Sequence, residues 1–336
     1  MTDASGETSP DKIVMGGATF EAPSMGALGT DGAGVIPFEL VPGAGQVVIA
    51  EHISPTRAAL QRFRRHRLAV AGLVVVIVII AMAIAAPLLT PWDPNRIDFA
   101  TGSRQPPSAL HPLGTDVAGR DVWSRVLYGG RTSVMVGFGA VAIYLVIGVL
   151  LGLLAGFHGG RTDQLIMRFT DTILSIPPLL LIIVFVSVVG PSIASVIAVI
   201  ALLGWPVTCR LVRGQLLVLR ESEFITAARV VGVPNPEILF RHMLPNVLGP
   251  LTVVATFGVA TAVLLEASLS FLGLGVRPPE ASWGNLITEA TSPAVLNGMW
   301  WQWVPAAVAI TLMVLAVNFV GDGLRDAIDP RTVKRR

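Results

Sequence analysis

The sequence predicts an all-α, polytopic membrane protein with six transmembrane helices. Two features of the composition and one of the sequence pattern support this fold class. Only 14% of the 336 residues are charged, against about 25% in an average soluble domain, and 53% are hydrophobic. The hydrophobic residues also fall in uncharged runs long enough to cross a hydrocarbon core of about 30 Å. The chain has too few charged residues to cover the surface of a soluble fold. The composition therefore excludes an ordinary soluble enzyme.

The first 56 residues differ from the rest of the chain. They contain seven acidic residues, one lysine (Lys12), no arginine, and many Gly, Pro, Ser and Thr without a sustained helical or strand period. Such a segment buries too little apolar surface to offset the entropy that it loses on ordering. Residues 1–56 are therefore predicted to form a disordered cytoplasmic tail. A regulatory tail and a dispensable extension fit this segment equally well.

Uncharged runs define the transmembrane helices. The first run, 68–89, has 22 residues and follows five arginines; as a helix it would be about 33 Å long. Between 172 and 209 lie 38 uncharged residues, which are too many for one crossing, and Gly190-Pro191 divides them into a helical hairpin. Trp300, Trp301 and Trp303 precede the last run, as is typical of an interfacial aromatic belt. The six predicted helices are about 68–90, 132–157, 170–189, 192–209, 247–272 and 303–321.

The distribution of basic residues predicts the orientation. Six crossings place both ends of the chain on one side of the membrane. With the N-terminus in the cytoplasm, the inner segments from Arg57 onward carry 17 arginines and lysines, and the outer segments carry six. The positive-inside rule therefore predicts that both termini are cytoplasmic. The predicted divisions are the tail 1–56, a first helix with an extracytoplasmic loop (57–130), the five remaining helices (131–322), and a cytoplasmic C-terminal tail (323–336).

The outer link between the first two helices, about 91–131, has a defined pattern. Gly114 and Gly119 mark turns, and Asp121 and Arg125 are four residues apart. This spacing fits a short amphipathic helix that lies along the outer surface. It also fits an ion-paired elbow that orients the second transmembrane helix.

The inner link between the fourth and fifth helices, about 210–246, predicts two short helices joined by a glycine turn. Ser222 or Glu221 begins the first helix, and Gly232 ends it, two residues before a proline. Asn235-Pro236-Glu237 then supplies a side-chain cap, an early proline and an acid for the start of the second helix. Such a knob offers a close-packing surface to a partner protein, and packing of the loop alone explains the pattern as well.

Glu266 is the one acid within an apolar span. A charged side chain near the bilayer centre costs about 2.5–3.5 kcal/mol on insertion scales, so Glu266 is expected to face the interior of the bundle, with Ser268 or Ser270 as neighbours. Two hypotheses remain open. Glu266 lines a substrate path or gate, or it makes a structural hydrogen bond that fixes the fifth helix.

No catalytic or metal site is predicted on this chain. The five histidines are scattered, and Cys209 is the one cysteine. A phosphate-binding loop of the form GxxxxGK[ST] needs a lysine, but the two lysines, Lys12 and Lys334, do not follow glycine-rich turns. The net charge of +2 gives no case for nucleic-acid binding. Active transport through this chain would therefore need separate ATPase subunits.

Three motifs resemble one family of transporters. The sequence TAARVVG (226–232), followed by FRHMLPN (240–246), resembles the EAA loop of binding-protein-dependent ABC (ATP-binding cassette) importer permeases. The pattern GTD…GRD…SR…GxRxS (114–133) and the run EASLSFLGLG (266–275) are similar to the dipeptide and oligopeptide branch, and most of all to its DppC/OppC-type subunit. The resemblance covers about residues 57–330.

The resemblance implies a type I ABC importer permease fold in the bacterial cytoplasmic (inner) membrane. Its expected partners are membrane lipid, a second homologous permease subunit, two ATPase subunits and an extracytoplasmic substrate-binding protein. ATP and Mg would bind to the ATPase subunits, with no cofactor on this chain. The expected substrates are di- or oligopeptides, although the same branch also moves nickel complexes and other small solutes.

The resemblance also assigns candidate residues. In the family the EAA loop docks on the ATPase subunit, and the matching or adjoining residues here are Glu223, Thr226, Ala227, Ala228, Gly232, His242 and Pro245. Thr226 replaces the leading glutamate of the family, so the contact of that acid is either lost or supplied by Glu223. Candidates for a translocation path or gate are Glu266, Ser268 and Ser270.

Two other classes of protein compete with the importer hypothesis. A self-sufficient secondary transporter would have internal repeats and several intramembrane charges, whereas Glu266 stands alone. A membrane scaffold without transport activity would have no need of Gly232 or of the small residues Ala227 and Ala228.

Overall fold

The computed structural model describes residues 12–15, 18–21 and 55–328. The chain divides into two units, Met1–Ile53 and Ser54–Arg336. In the first unit, strands β1 (Lys12–Met15) and β2 (Ala18–Glu21) form an antiparallel hairpin in which Lys12 is opposite Glu21. These two strands lie within the segment that the sequence analysis predicts to be disordered. The remainder of that prediction up to residue 54 lies outside the described residues.

The second unit is helical. Within the described residues, five helices are long and apolar enough to cross a membrane: Arg67–Ile84, Val122–His158, Ile193–Arg220, the continuous helix Asn235–Phe271, and Val304–Ile328. The bent pair Gly160–Ser175 and Pro178–Val189 makes a sixth if it is counted as one span. The helices are α1 (Pro55–Arg65), α2 (Arg67–Ile84), α3 (Ala86–Leu89), α4 (Val122–His158), α5 (Gly160–Ser175), α6 (Pro178–Val189), α7 (Ile193–Arg220), α8 (Glu223–Val230), α9 (Asn235–Glu237), α10 (Leu244–Phe271), α11 (Trp283–Thr288), α12 (Pro293–Gly298) and α13 (Val304–Ile328), with a π-helical segment at Ile238–Met243 and 3₁₀ turns at Glu289–Thr291 and Trp300–Gln302.

The second predicted span, 132–157, is part of a much longer helix. Helix α4 has 37 residues and would be about 55 Å long, so it extends well beyond a hydrocarbon core of about 30 Å. It begins at Val122 because the Asp121 side chain caps it, accepting a hydrogen bond from the Ser124 backbone N–H at 2.7 Å. The predicted division at 130/131 therefore falls within a helix.

The charged ends of two other spans are also helical. Helix α7 continues from the predicted 192–209 as far as Arg220, and α13 continues from the predicted 303–321 as far as Ile328. The prediction ended each helix where the apolar run ended. Backbone hydrogen bonding does not stop there, because water can solvate the charged side chains of the last turns. The C-terminal tail predicted from residue 323 is helical up to Ile328, and its remainder lies outside the described residues.

The third predicted span, 170–189, is broken. Helix α5 ends at Ser175, α6 begins at Pro178, and the two are bent by 87° at the break. Pro177 and Pro178 have no N–H group to donate, and a proline also disfavours helical geometry in the residue before it. The proline pair therefore produces a sharp bend in place of a single straight helix.

Helices α4 and α7 approach each other closely along a stripe of glycines. A Cβ atom at Gly148 would lie 2.5 Å from the Thr208 Cβ, and one at Gly152 would lie 2.7 Å from the Val212 Cβ. At Gly156 the corresponding distance to the Leu216 Cβ is 2.8 Å. The four-residue spacing of these glycines predicts such packing between two helix backbones, and the structure confirms it.

Alanine at Gly152 is therefore expected to destabilise the protein. Overpacking of this kind costs about 1–3 kcal/mol because the Val212 side chain or the whole of α7 must move. Thermal unfolding of the detergent-solubilised protein should occur at a lower temperature for Gly152→Ala than for the wild type. Gly214 in α7 is the matched control, since a Cβ there meets no atom within 4 Å. Gly214→Ala should be neutral or stabilising, and an equal loss of stability in both variants would contradict the close-packing account.

Short helices cover the outer ends of the spans. Helix α11 packs against α4, where the Trp283 indole N–H donates to the Val126 carbonyl at 3.0 Å. Trp283 is 3% exposed, and its ring lies against Gly130, where a Cβ would be 3.1 Å from it. The sequence had indicated only a link between the last two spans in this region.

Candidate functional site

Helix α8 and its turn form the core of the inner link. The helix ends with two backbone hydrogen bonds, from the Val233 N–H to the Ala228 carbonyl and from the Gly232 N–H to the Arg229 carbonyl, each 3.0 Å long. This pair of bonds is the Schellman motif, and Gly232 has the positive φ of 86° that the motif requires. The predicted helix end at Gly232 is confirmed. The turn fixes the direction in which α8 projects from the ends of the long helices.

One side of α8 is packed against the body of the protein. Ile225 is fully buried in a small apolar cluster with Val212 and Leu216 of α7 and with Ile238 and Met243 of the π-helical segment. Ala228, one turn after Ile225, is half-buried against the same cluster. Helix α8 is therefore held by the inner ends of the neighbouring helices, and movement of α8 would be transmitted to them.

The opposite side of α8 is exposed and apolar. Phe224 is 46% exposed, and Val230 and Val231 are each more than 80% exposed. Ala227 lies between them and is also exposed. These four residues are called here the exposed face of α8. A contiguous apolar patch in a polar loop is typical of a surface that another protein covers.

The remaining residues predicted for coupling surround this face. Glu223 and Thr226 are exposed, and the Thr226 hydroxyl donates to the Ser222 carbonyl at 3.2 Å. Further along the chain, His242 is half-buried in the π-helical segment, and Pro245 is exposed at the start of α10. The structure therefore places the seven predicted residues on α8, on its glycine turn and on the segment that follows.

The second part of the inner link differs from the prediction. Pro234 and not Asn235 occupies the N-cap position of α9, and no side chain makes a capping hydrogen bond there. The helix then continues without interruption through the π-helical segment into α10, so that Asn235–Phe271 is one helix. The two short helices of the prediction are therefore one short helix followed by the first turns of a long one. Apolar packing of Ile238 and Met243 extends the helix beyond its membrane part.

Two ion pairs join α5 to α7 near this link. The Arg213 guanidinium binds both carboxylate oxygens of Asp163, with Nη2 to Oδ2 at 2.6 Å, and Arg210 Nη2 lies 2.7 Å from Asp171 Oδ1. Each pair joins residues 39 or 50 positions apart in the sequence. The sequence analysis counted Arg210 and Arg213 only among the inner basic residues, because the pairing with Asp163 and Asp171 depends on how α5 folds back on α7.

Glu266 is buried within a hydrogen-bonded group and is not exposed to a channel. The Ser133 hydroxyl donates to Oε2 at 3.0 Å, and the Ser270 hydroxyl donates to Oε1 at 2.8 Å. Ser133 also accepts a hydrogen bond from the Trp283 backbone N–H at 3.3 Å. Glu266 thus joins α4, α10 and α11. This is the geometry expected if Glu266 makes structural hydrogen bonds that fix the fifth transmembrane helix, and not if it lines a substrate path.

Ser268 faces a different direction. It is exposed, and its hydroxyl donates to the Leu264 carbonyl of its own helix at 2.8 Å. A cavity of about 400 Å³ adjoins it, lined also by Leu179, Phe271 and Ile310. Of the three residues predicted for a path, Ser268 is the one beside open space, and Glu266 and Ser270 are inside the protein.

The outer loop contains a buried hydrogen-bonded network. His111 is fully buried, with Nδ1 2.8 Å from Asp121 and Nε2 3.2 Å from Asp98. Hydrogen bonds from Thr101 and His111 hold the pKa of the Asp98 carboxyl well below its usual range. Because Asp121 also caps α4, the network joins the loop to the start of that helix.

A second set of charges lies beside it. Asp116 pairs with Arg120 at 2.8 Å and with Arg125 at 3.4 Å. Burial, and then repulsion from Asp116, raise the pKa of Glu289. Asp121 and Arg125 therefore belong to an ion-paired elbow, and the alternative of a separate surface helix is wrong, because the residues after Asp121 are the first turns of α4.

Comparison with known proteins gives a consistent result. The family model of the binding-protein-dependent transport system inner membrane component matches residues 148–334. The model of the N-terminal transmembrane domain of oligopeptide transport permease C matches residues 54–107. The two matches leave residues 108–147 between them, which include the second half of the outer loop.

Individual relatives cover most of the chain. A putative peptide permease protein of Brucella suis biovar 1 is 46% identical over 82% of this chain and 91% of its own. The dipeptide transport system permease protein DppC of Alkalihalophilus pseudofirmus is 42% identical over 83% of this chain and 91% of its own. The oligopeptide transport system permease protein OppC of Bacillus subtilis is 38% identical over 87% and 95%.

Among solved structures, the inward-facing MetNI methionine ABC transporter contains a chain of similar fold. The TM-score is 0.50 at 19% sequence identity, and the match covers 61% of this chain and 96% of that one. At this identity the similarity concerns the fold alone. The helical arrangement of this chain is therefore shared with a chain of that transporter.

Proposed function

Because the chain belongs to the family of binding-protein-dependent transport system inner membrane components, we propose that it carries peptides through an ATP-driven importer. It is a permease subunit of an ABC importer and not itself the enzyme, since the ATPase of such importers is a separate subunit. The observation that supports coupling most directly is the exposed apolar face of α8, which is held above a buried Ile225.

The exposed face of α8 is proposed as the surface that docks on the ATPase subunit. Phe224, Ala227, Val230 and Val231 would lose their contact with water there, which stabilises an interface in proportion to the apolar area that is buried. Glu223 and Thr226 would contribute polar contacts at its border. Ala228, Gly232, His242 and Pro245 would act by holding α8 and the start of α10 in position.

The proposed complex contains more than this chain. A second homologous permease, two ATPase subunits carrying ATP and Mg, and an extracytoplasmic binding protein complete it. No cofactor on this chain is needed in that arrangement. The substrate would cross between the two permeases, with Ser268 facing the path and with Glu266 and Ser270 holding the helix behind it.

The relatives support peptides as the substrate class. The three relatives from Brucella, Alkalihalophilus and Bacillus are named as peptide, dipeptide and oligopeptide permeases, and each match covers more than four fifths of this chain. We propose di- or oligopeptides as the cargo on that basis.

The chain is a multi-pass membrane protein, and we propose the bacterial inner membrane as its location, with both termini in the cytoplasm. The bent pair α5 and α6 then counts as one span, which gives six crossings. The excess of arginines on the proposed inner side and the position of α8 on that side both agree with this orientation.

Co-purification tests the proposed function. The tagged chain, solubilised gently from its own cells, should recover a second six-span permease and one or two ATPases with phosphate-binding loops. Proteoliposomes of that complex with its binding protein should take up labelled peptides only when ATP is present on the ATPase side. Recovery of the chain alone, in a detergent that preserves other such complexes, would contradict the proposal.

A further inference from the structure

A cavity of about 390 Å³ lies among α4, α6, α7 and α10. Its size falls within the range of about 300–1,000 Å³ that is usual for ligand pockets. Most of its lining is apolar, and Tyr144 is the one lining residue that carries an ionisable group. Three of the lining residues carry hydroxyl groups: Tyr144, Thr208 and Thr261.

The backbone around Tyr144 is shaped to hold its ring in place. The side chain is 6% exposed and lies against Gly204 of α7 and Gly258 of α10, and a Cβ atom at either glycine would collide with it. The Tyr144 hydroxyl forms no hydrogen bond with any of the residues that the structure describes. A hydroxyl that is removed from water without a hydrogen-bond partner is unfavourable, so this arrangement favours a bound group that can pair with it.

The other two hydroxyls beside the cavity are not available to a bound group. Thr208 is fully buried, and its Oγ1 has no hydrogen-bond partner among the described residues but lies away from the open volume. At the mouth of the cavity Thr261 is exposed, and its hydroxyl donates to the Phe257 carbonyl at 3.0 Å. Among the described residues, the Tyr144 hydroxyl is therefore the unpaired group that a molecule in this otherwise apolar pocket could reach.

The position of the cavity connects it to Ser268. The cavity beside Ser268 is lined by Leu179 of α6 and Leu264 of α10, and the cavity beside Tyr144 is lined by the adjacent Pro178 and Leu265. The two cavities therefore follow one another along the same pair of helices. A third cavity, of about 340 Å³, lies on another side of α10, and its one hydroxyl, on Thr256, is hydrogen-bonded to its own helix.

On the basis of the proposed function, we infer that the Tyr144 cavity is a subsite for an uncharged, apolar side chain of the crossing peptide. The Tyr144 hydroxyl would hydrogen-bond to the adjoining peptide amide. A lipid acyl chain would fill the same volume but would leave that hydroxyl unpaired. A charged side chain would be disfavoured, because no lining group opposes its charge.

Filling the cavity tests this inference. Thr261→Phe places a ring at the mouth of the Tyr144 cavity, and Ala142→Phe places one at the exposed edge of the third cavity as the matched control. Uptake of alanyl-alanine and of a phenylalanine-containing dipeptide is measured in proteoliposomes of the whole complex. We expect Thr261→Phe to lower the uptake of the phenylalanine peptide about tenfold relative to alanyl-alanine, as is usual when an apolar pocket loses volume. Ala142→Phe should leave that ratio unchanged.

Tyr144→Phe provides a second measurement, because it removes the hydroxyl and keeps the ring. We expect uptake of both peptides to fall about fivefold or more, as for the loss of one hydrogen bond, with thermal stability unchanged. Equal effects of the two cavity-filling variants, or wild-type uptake by Tyr144→Phe, would overturn the inference. So would a loss of co-purified lipid from Thr261→Phe with the peptide ratio unchanged. If the wild-type complex takes up neither peptide, the proposed function fails as well.

Discussion

Substitution of Ala227 by arginine is expected to abolish uptake while the protein still inserts and folds. Ala227 is exposed at the centre of the exposed face of α8 and, among the described residues, belongs to none of the buried apolar clusters. In the docked complex the guanidinium would be buried without a partner charge, which costs about 3 kcal/mol and weakens docking about 100-fold. Co-purification of the ATPase and ATP-driven uptake should both be lost, while membrane yield and thermal stability remain at wild-type values.

Two control variants make the Ala227 result specific. Ala227→Ser keeps a small side chain and should retain most of the uptake. Ala228→Arg should reduce thermal stability as well as uptake, because Ala228 is half-buried against the cluster around Ile225. Retention of ATPase subunits by Ala227→Arg would show that α8 docks through a different surface, and a loss of membrane yield would show that Ala227 is structural.

Local sequence chemistry was sufficient to predict the turn after α8. Gly232 adopts a positive φ that other residues rarely adopt, and Pro234 prevents the helix from continuing. Both effects depend only on neighbouring residues. The start of the following helix also rests on local signals, yet the predicted Asn235 cap was wrong, because a preceding proline took the N-cap position.

Helix lengths were harder to predict than helix existence. Apolar runs located the parts of α4, α7 and α13 that cross a membrane, but all three continue into charged turns. In α4 these turns include Arg125, whose charge is offset by Asp116 at 3.4 Å, while Asp121 caps the helix. Those contacts depend on the folded outer loop. The spacing of Asp121 and Arg125 in the sequence therefore fitted both a separate surface helix and an ion-paired elbow.

The partners of Glu266 illustrate the limit of sequence reasoning most clearly. Ser270, one turn away, was among the expected neighbours, and it does bind the carboxylate. Ser133, the other partner, is 133 residues distant, and Trp283 joins the group from a short helix that the sequence did not predict. The other expected neighbour, Ser268, lies on the opposite, exposed side, because two residues along a helix correspond to a rotation of about 200°.

Glutamine and leucine at position 266 should therefore have very different effects. A glutamine side chain can still hydrogen-bond to both Ser133 and Ser270, since each serine hydroxyl can rotate to donate to the amide oxygen or to accept from the amide nitrogen. Leucine removes both hydrogen bonds, which leaves the buried Ser270 hydroxyl without the carboxylate and the Ser133 hydroxyl with only the Trp283 backbone N–H, a loss of about 2–4 kcal/mol. We expect Glu266→Gln to keep nearly wild-type thermal stability and uptake, and Glu266→Leu to unfold at a clearly lower temperature with a parallel loss of uptake.

The same pair of variants separates an anchor from a gate. If the charge of Glu266 contacted the substrate, Glu266→Gln would lose uptake at unchanged stability, which is the opposite of the pattern expected here. Ser133→Ala is the companion measurement, because it removes one partner from α4 without altering α10. It should reproduce part of the stability loss of Glu266→Leu, and the two losses should not add in the double variant, because residues of one hydrogen-bonded group are coupled. Additive losses would mean that Glu266 stabilises the fold through contacts other than the one that joins α4 to α10.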